Sequence, residues 1–340
     1  MSETIKSYKG FDKDLKCRGF QYEIGKEYEH DGPVEACKSG FHACEAPLDV
    51  FAYYAPATSR YCEVEQSGEL SRDGDNSKIA SSRIKIGAEI GIPGLVKAQI
   101  EWVKNQTHEI KGSHATGYQG AASATGDYCA ASATGNQGAA SATGDYCAAS
   151  ATGYKGAASA TGYQGAASAT GDYGAASATG YQGAASATGG RGAASATGYK
   201  GAASATGNQG AASATGYQGA ASATGNQGAA SATGYQGAAS ATGDYCAASA
   251  TGYQGAASAT GDYCAASATG KDGVAMACGY EGKVKGALGN AMFLVERGEW
   301  NGDTHPILNV AAFVIDGDTY KPNTWYTLKG GKIVEAGDNG

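Results

Sequence analysis

The densest gathering of side chains suited to chemistry is Cys37-Lys-Ser-Gly-Phe-His42-Ala-Cys44, with Cys17, His30 and Cys62 elsewhere in the first 112 residues. Thiolates and imidazoles bind zinc, and a thiol beside an imidazole can act as a nucleophile. Structural zinc sites usually hold cysteine pairs two to four residues apart. Six residues separate Cys37 from Cys44, so Cys37, His42 and Cys44 form only a weak metal candidate. Buried packing cysteines are the simpler reading. No glycine cluster sits between a strand and a helix with the Lys-Ser/Thr of a phosphate loop. The expectation is no catalytic residue and no cofactor.

A second set of cysteines falls within a repeat. From Ala115 to Gly279 the chain rewrites one nonapeptide, Ala-Ala-Ser-Ala-Thr-Gly followed by two variable residues and Gly or Cys. A fixed period of this kind signals a solenoid. Helix is disfavoured, because Gly costs about 1 kcal/mol at each helix-interior position. Collagen needs abundant Pro, and the array has none. A flexible Gly/Ala/Ser linker has no reason to hold the phase.

The variable triplets tend to alternate, so the repeating unit is often eighteen residues. Cys129 and Cys147 lie eighteen apart, as do Cys246 and Cys264. Tyr163, Tyr181, Tyr199, Tyr217, Tyr235 and Tyr253 form one column at the same spacing. We read one coil as two nonapeptides, each a short strand near Ala121–Thr125 and a turn near Gly126–Cys129. Coils rising about 4.8 Å each would build a rod roughly 40 Å long from two parallel sheets back to back. Adjacent coils bring cysteines within disulfide reach, but the expectation is reduced, buried filler at Cys129, Cys147, Cys246 and Cys264.

Strand side chains alternate. Burying unsatisfied hydroxyls is costly, which places Ala, Gly and Cys inside and Ser and Thr outside. Val274 and Met276 then occupy outer positions. Either the C-terminal segment covers them or the two faces are exchanged. The Tyr column would stack along the outside, stabilising neighbouring coils or presenting an aromatic strip to a partner or a second copy.

The flanks differ from the array. Residues 1–112 hold most of the charge and read as a small α+β domain. Strands are expected at Phe20–Ile24, Arg60–Glu65 and Ile79–Ile86, and helices at Pro47–Tyr54 and Pro93–Asn105. Residues 280–340 read as a compact β domain, with strands at Ala291–Glu296 and Ile307–Ile315. Trp325–Lys329 and Lys332–Ala336 flank a Gly330-Gly331 hairpin turn. Open solenoid ends need caps, and both flanks are expected to supply them.

The chain has 340 residues and a net charge of −7. The array carries six Asp against three Lys and one Arg, without the basic stripe that nucleic acid demands. No stretch approaches a membrane span. The start lacks a signal-peptide pattern, and nine cysteines without a secretory context suggest a reducing cytoplasm.

Three segments carry a resemblance. They are Gly40-Phe-His-Ala-Cys-Glu-Ala-Pro-Leu-Asp-Val-Phe-Ala-Tyr-Tyr54, the nonapeptide array, and Lys321-Pro-Asn-Thr-Trp-Tyr-Thr-Leu-Lys329. Together they resemble uncharacterised proteins of bacteriophages and prophages in gut bacteria, where a small N-terminal domain of unknown function precedes such an array. More distantly, Ala-Thr-Gly-x-x-Gly/Cys resembles the head repeats of trimeric autotransporter adhesins, which form parallel β-rolls. The resemblance implies a host-cytoplasm setting and no known activity. The expected function is a non-enzymatic rod that acts as a rigid binding or scaffolding module, for a protein partner or for itself as a homo-oligomer, with antagonism of a host protein as one role. The alternatives are a virion part such as a tail fibre, an ice-binding array of Ser/Thr ladders, and an enzyme in residues 1–112 that would need His42.

Overall fold

Two nonapeptides make one turn of a parallel β-solenoid, and residues eighteen positions on lie directly overhead. Cys129 pairs with Cys147, Ala130 with Ala148 and Ser132 with Ser150. The computed structural model describes residues 4–56, 58–72, 77–106 and 113–337. The expected boundary at residue 112 lies outside the described residues. Successive strands alternate between two sheets. The first stacks Ser113–Thr116, Tyr128–Thr134, Tyr146–Thr152 and Gln164–Thr170 and continues to Ala291–Arg297. The second runs from Ala121–Thr125 through Ala139–Thr143 and Ala157–Thr161 to Lys283–Gly286. There are about 10 turns, and stacked cysteine Cα atoms lie 4.7 Å and 4.6 Å apart.

The glycine period has a steric cause. At the end of each strand the chain turns directly above the turn of the coil below. The Gly198 N–H donates to the carbonyl of Thr215 at 2.9 Å. A Cβ on Gly198 would lie 1.6 Å from the Gly180 carbonyl oxygen. No side chain fits there. At Gly189 a φ of 150° disfavours other residues as well.

The expected facing holds. On Ala121–Thr125 the residues Ala122 and Ala124 are buried, while Ala121, Ser123 and Thr125 are exposed. The space between the sheets contains little beyond alanine methyls, joined by the cysteines. Each methyl contributes roughly 0.8 kcal/mol on burial. The interior therefore relies on many identical small contacts and on the uninterrupted backbone ladder.

The cysteines depart from expectation. Cys129–Cys147 and Cys246–Cys264 are disulfides, whereas Cys17, Cys37, Cys44, Cys62 and Cys278 are free. Stacking eighteen residues apart places each pair within bonding reach without moving the backbone. Cys129–Cys147 bridges the starts of two first-sheet strands, and Cys246–Cys264 lies immediately before two strands of the second sheet.

The winding continues past Gly279. Lys283–Gly286 adds to the second sheet and Ala291–Arg297 to the first. The last step shortens to seventeen residues, with Val274 opposite Ala291. Ile307–Val314 then pairs antiparallel with Ala291–Arg297. The hairpin Tyr326–Lys329 and Lys332–Glu335 closes the second sheet, turning on Gly330 and Gly331 at φ 58° and 72°. Met292, Leu294, Ile315 and Tyr326 fill the end of the core. Reversing strand direction on both sheets stops further parallel stacking, which is what a cap must do. Val274, Met276 and Phe293 stay 38%, 37% and 42% exposed on the first sheet, so the C-terminal segment does not cover them.

The N-terminal domain is an antiparallel sheet. Ile5–Phe11, Phe41–Cys44, Lys78–Glu89 and Arg60–Arg72 pair in a closed ring, and Glu27–Glu29 adds to Lys78–Glu89. Inside, Gln66 donates to the carbonyls of Phe41 and Ile79 and accepts from the Ser7 hydroxyl at 2.7 Å. The strand expected at Phe20–Ile24 is only Phe20–Gln21. A 3₁₀ turn at Pro47–Asp49 leads into α1 (Val50–Tyr53), and α2 spans Ile92–Gln106.

This domain does not sit over the end of the rod as expected of a cap. Helix α2 lies along the outer face of the first sheet. Its Leu95, Val96, Ile100 and Val103 cluster with Ala130, Ala148, Ala166, Ala184 and Ala202. An alanine face is flat enough to admit a helix, and α2 has an apolar stripe to bury.

Candidate functional site

The turns of the rod form two edges, and their variable residues become columns. Along one edge Tyr163, Tyr181, Tyr199, Tyr217, Tyr235 and Tyr253 stack as the eighteen-residue spacing implies. Successive ring centroids lie 5.2, 5.1, 5.0, 4.9 and 4.9 Å apart. The ladder is longer than the spacing revealed. Tyr128 and Tyr146 stack at 5.0 Å and join it through Tyr163 at 6.5 Å, with Trp102 of α2 beside them. These two occupy the second triplet position, so the step to Tyr163 is seventeen residues and escapes an eighteen-residue search. Burial and the nearby Asp49 push the Tyr146 hydroxyl up to about 12.

The residues beside the tyrosines hold the N-terminal domain. Gln164 donates to Asp49, which also accepts from Ser77. With its oxygen turned to the Ala52 N–H at 3.1 Å, the Gln182 amide donates to the Leu48 carbonyl at 3.2 Å. Lys200 breaks the glutamine pattern at the C-terminal end of α1. Its ammonium donates to the carbonyls of Phe51 at 2.5 Å and Ala52 at 2.8 Å. A cation there answers carbonyls that the helix leaves unpaired. Farther along, the side-chain amides of Gln218, Gln236 and Gln254 bond to one another, at 3.1 and 3.2 Å.

The two sheets present the same outward pentapeptide side chains in different states. Ser186 and Ser204, on the first sheet, are buried against the N-terminal domain at 6% and 7% exposure. On the second sheet the outward Ala, Ser and Thr of seven consecutive strands, from Ala121 to Thr233, are all exposed. This strip forms a shallow, mainly apolar groove of about 870 Å³.

Cys37, His42 and Cys44 all line one pocket of about 650 Å³ in the N-terminal domain. Among the described residues no group of three or more His, Cys, Asp or Glu is placed to hold a metal. Burial pushes the Cys44 thiol up to about 12, which leaves it protonated at neutral pH. His42 is held below the usual imidazole range by burial and by the charges of Lys9 and Lys78. Lys9 is 5% exposed and also lines the pocket. Its ammonium donates to the His42 carbonyl at 2.7 Å and toward the Cys17 sulfur at 3.6 Å. Nothing in the spacing of the sequence singled out Lys9. Its strand carries Ser7, Lys9 and Phe11 inward, a pattern with no obvious core.

The architecture defines a repeat β-solenoid carrying a small α+β domain on its flank. Residues 5–98, which cover most of that domain, match a family described as Domain of unknown function (DUF7666). No curated protein and no solved structure matches the chain.

Proposed function

We propose that this protein is a non-enzymatic, rod-shaped binding module whose second sheet receives a protein partner. The carrying observation is the strip from Ala121 to Thr233, exposed over seven coils. The same side chains on the first sheet already hold an amphipathic helix of this chain. A surface that seats α2 on one side is chemically suited to seat a helix on the other. The likeness of three segments to phage and prophage proteins favours a partner in a bacterial host cytoplasm, a setting suited to antagonising a host protein. The test compares the intact chain with a Ser177→Glu/Ser195→Glu/Ser213→Glu variant in reciprocal pull-downs from host lysate. The reading expects a reproducible partner lost in the variant. Identical recovery from both proteins would count against it.

Ice binding is a second reading, favoured by the straight Thr columns of the same bare sheet. Thermal hysteresis measured on the full chain, and abolished by the same triple variant, would support it over the first.

A further inference from the structure

The pocket in the N-terminal domain is set apart by its charge. The chain as a whole carries −7. The pocket lining nevertheless contains Lys9, Arg18, Lys38 and Lys78 and, among the described residues, no carboxylate. Lys38 is held by Glu35 at 2.5 Å, and Lys78 lies over the Tyr53 ring at 4.7 Å. Arg18 makes no ion pair among the described residues and is exposed at the pocket.

Two buried polar groups there lack an ordinary counterpart. An ammonium taken out of water costs several kcal/mol unless charges or hydrogen bonds answer it. Lys9 has a carbonyl, a thiol and the faces of Phe11 and Tyr22 at 5.6 and 5.4 Å, but among the described residues no anion. His42 Nε2 is buried and has no hydrogen-bond partner among the described residues. A neutral imidazole protonated on that nitrogen is a donor waiting for an acceptor. The pocket also carries an aromatic wall. Phe20, 47% exposed, packs edge-on against Tyr22 and Tyr28 at 4.8 and 5.5 Å. The volume lies within the range of small-molecule sites.

We propose that this pocket binds a nucleotide-type ligand, with its phosphate against Lys9, Arg18 and His42 and its ring against Phe20. Phosphate oxygens would accept from the guanidinium fork, the ammonium and the imidazole N–H. The exposed aromatic face would receive a planar base.

The test is isothermal titration calorimetry on the full chain with AMP, inorganic phosphate and adenosine as separate probes. AMP is expected to bind saturably. Phosphate should bind at least about tenfold more weakly, and adenosine more weakly still, because the charged contacts are the stronger ones. Arg18→Gln and Lys9→Met should each weaken AMP by about tenfold or more, equivalent to ~1.4 kcal/mol. Should Lys9→Met fail to fold, Arg18→Gln decides, since that side chain is exposed. Absence of saturable AMP binding at millimolar concentration would overturn the proposal. So would adenosine binding as tightly as AMP, phosphate binding as tightly as AMP, or AMP affinity unchanged in Arg18→Gln.

Discussion

The two sheets of the rod are written in the same pentapeptide, yet the first is covered from Ala130 to Ala202 while the second is bare along the strip from Ala121 to Thr233. Ala184 on the first sheet is fully buried, while Ala193, nine residues on, faces solvent. The difference lies outside the strands. Gln164, Gln182 and Lys200, at the edge of the first sheet, grip the segment from Leu48 to Ala52. Helix α2 is thereby laid on the alanines of that sheet. Edge residues decide which copy of a repeated surface is used, and the repeat supplies a surface that is usable twice.

That comparison breaks most severely if the shared scaffold fails. Gly198→Ala puts a methyl 1.6 Å from the Gly180 carbonyl. It should cost about 3 kcal/mol or more, and should deprotect amides in both sheets around those coils in hydrogen exchange. Leu95→Ala removes a fully buried side chain between α2 and the first sheet. A loss of about 3 kcal/mol is expected, with exchange rising in α2 and the N-terminal domain and not in the far coils. Lys200→Met deletes two charge-assisted hydrogen bonds at a half-buried site. The expected cost is about 1 kcal/mol, read as faster exchange in α1 alone.

The smallest effect is one of pH. Burial and the cations Lys9 and Lys78 depress His42 in the folded domain. The unfolded chain therefore takes up the proton first. Stability of the N-terminal domain should fall as pH drops from the ordinary imidazole value, about 6.5, toward the folded value. Asp49 works with the opposite sign. Burial raises it, so its contribution is present at low pH and lost as pH rises through its folded value. The difference between the chain and His42→Gln in pH-dependent melting isolates the histidine. Coils from Ala121 to Gly279 contain no histidine and should show no matching change.

Much of this was legible in the residues. Cys129 and Cys147 at eighteen positions define the coil, and Ala122 and Ala124 opposite Ser123 define its inside. The six stacked tyrosines follow from the same arithmetic. The covered face was not legible, because Ala-Ala-Ser-Ala-Thr reads identically on both sheets. The partners of Gln164 and Lys200 lie 115 and 149 residues away, and no local pattern announces contacts at that separation. The disulfides were within geometric reach, and the expectation of reduced cysteines rested on compartment rather than on shape. The pocket around Lys9 arises where the closed ring of strands meets the Lys16–Gln21 hairpin, and tertiary closure of that kind leaves no periodic trace.

The central claim is that one repeated surface is occupied from Ala130 to Ala202 on the first sheet and open on the second. Single cysteines at Ser186 and Ser195 test it directly, with thiol labelling of the intact chain located by peptide mass spectrometry. Ser195→Cys should label at least about an order of magnitude faster than Ser186→Cys, because only the latter must await local opening of α2. Equal rates at the two positions would contradict the account.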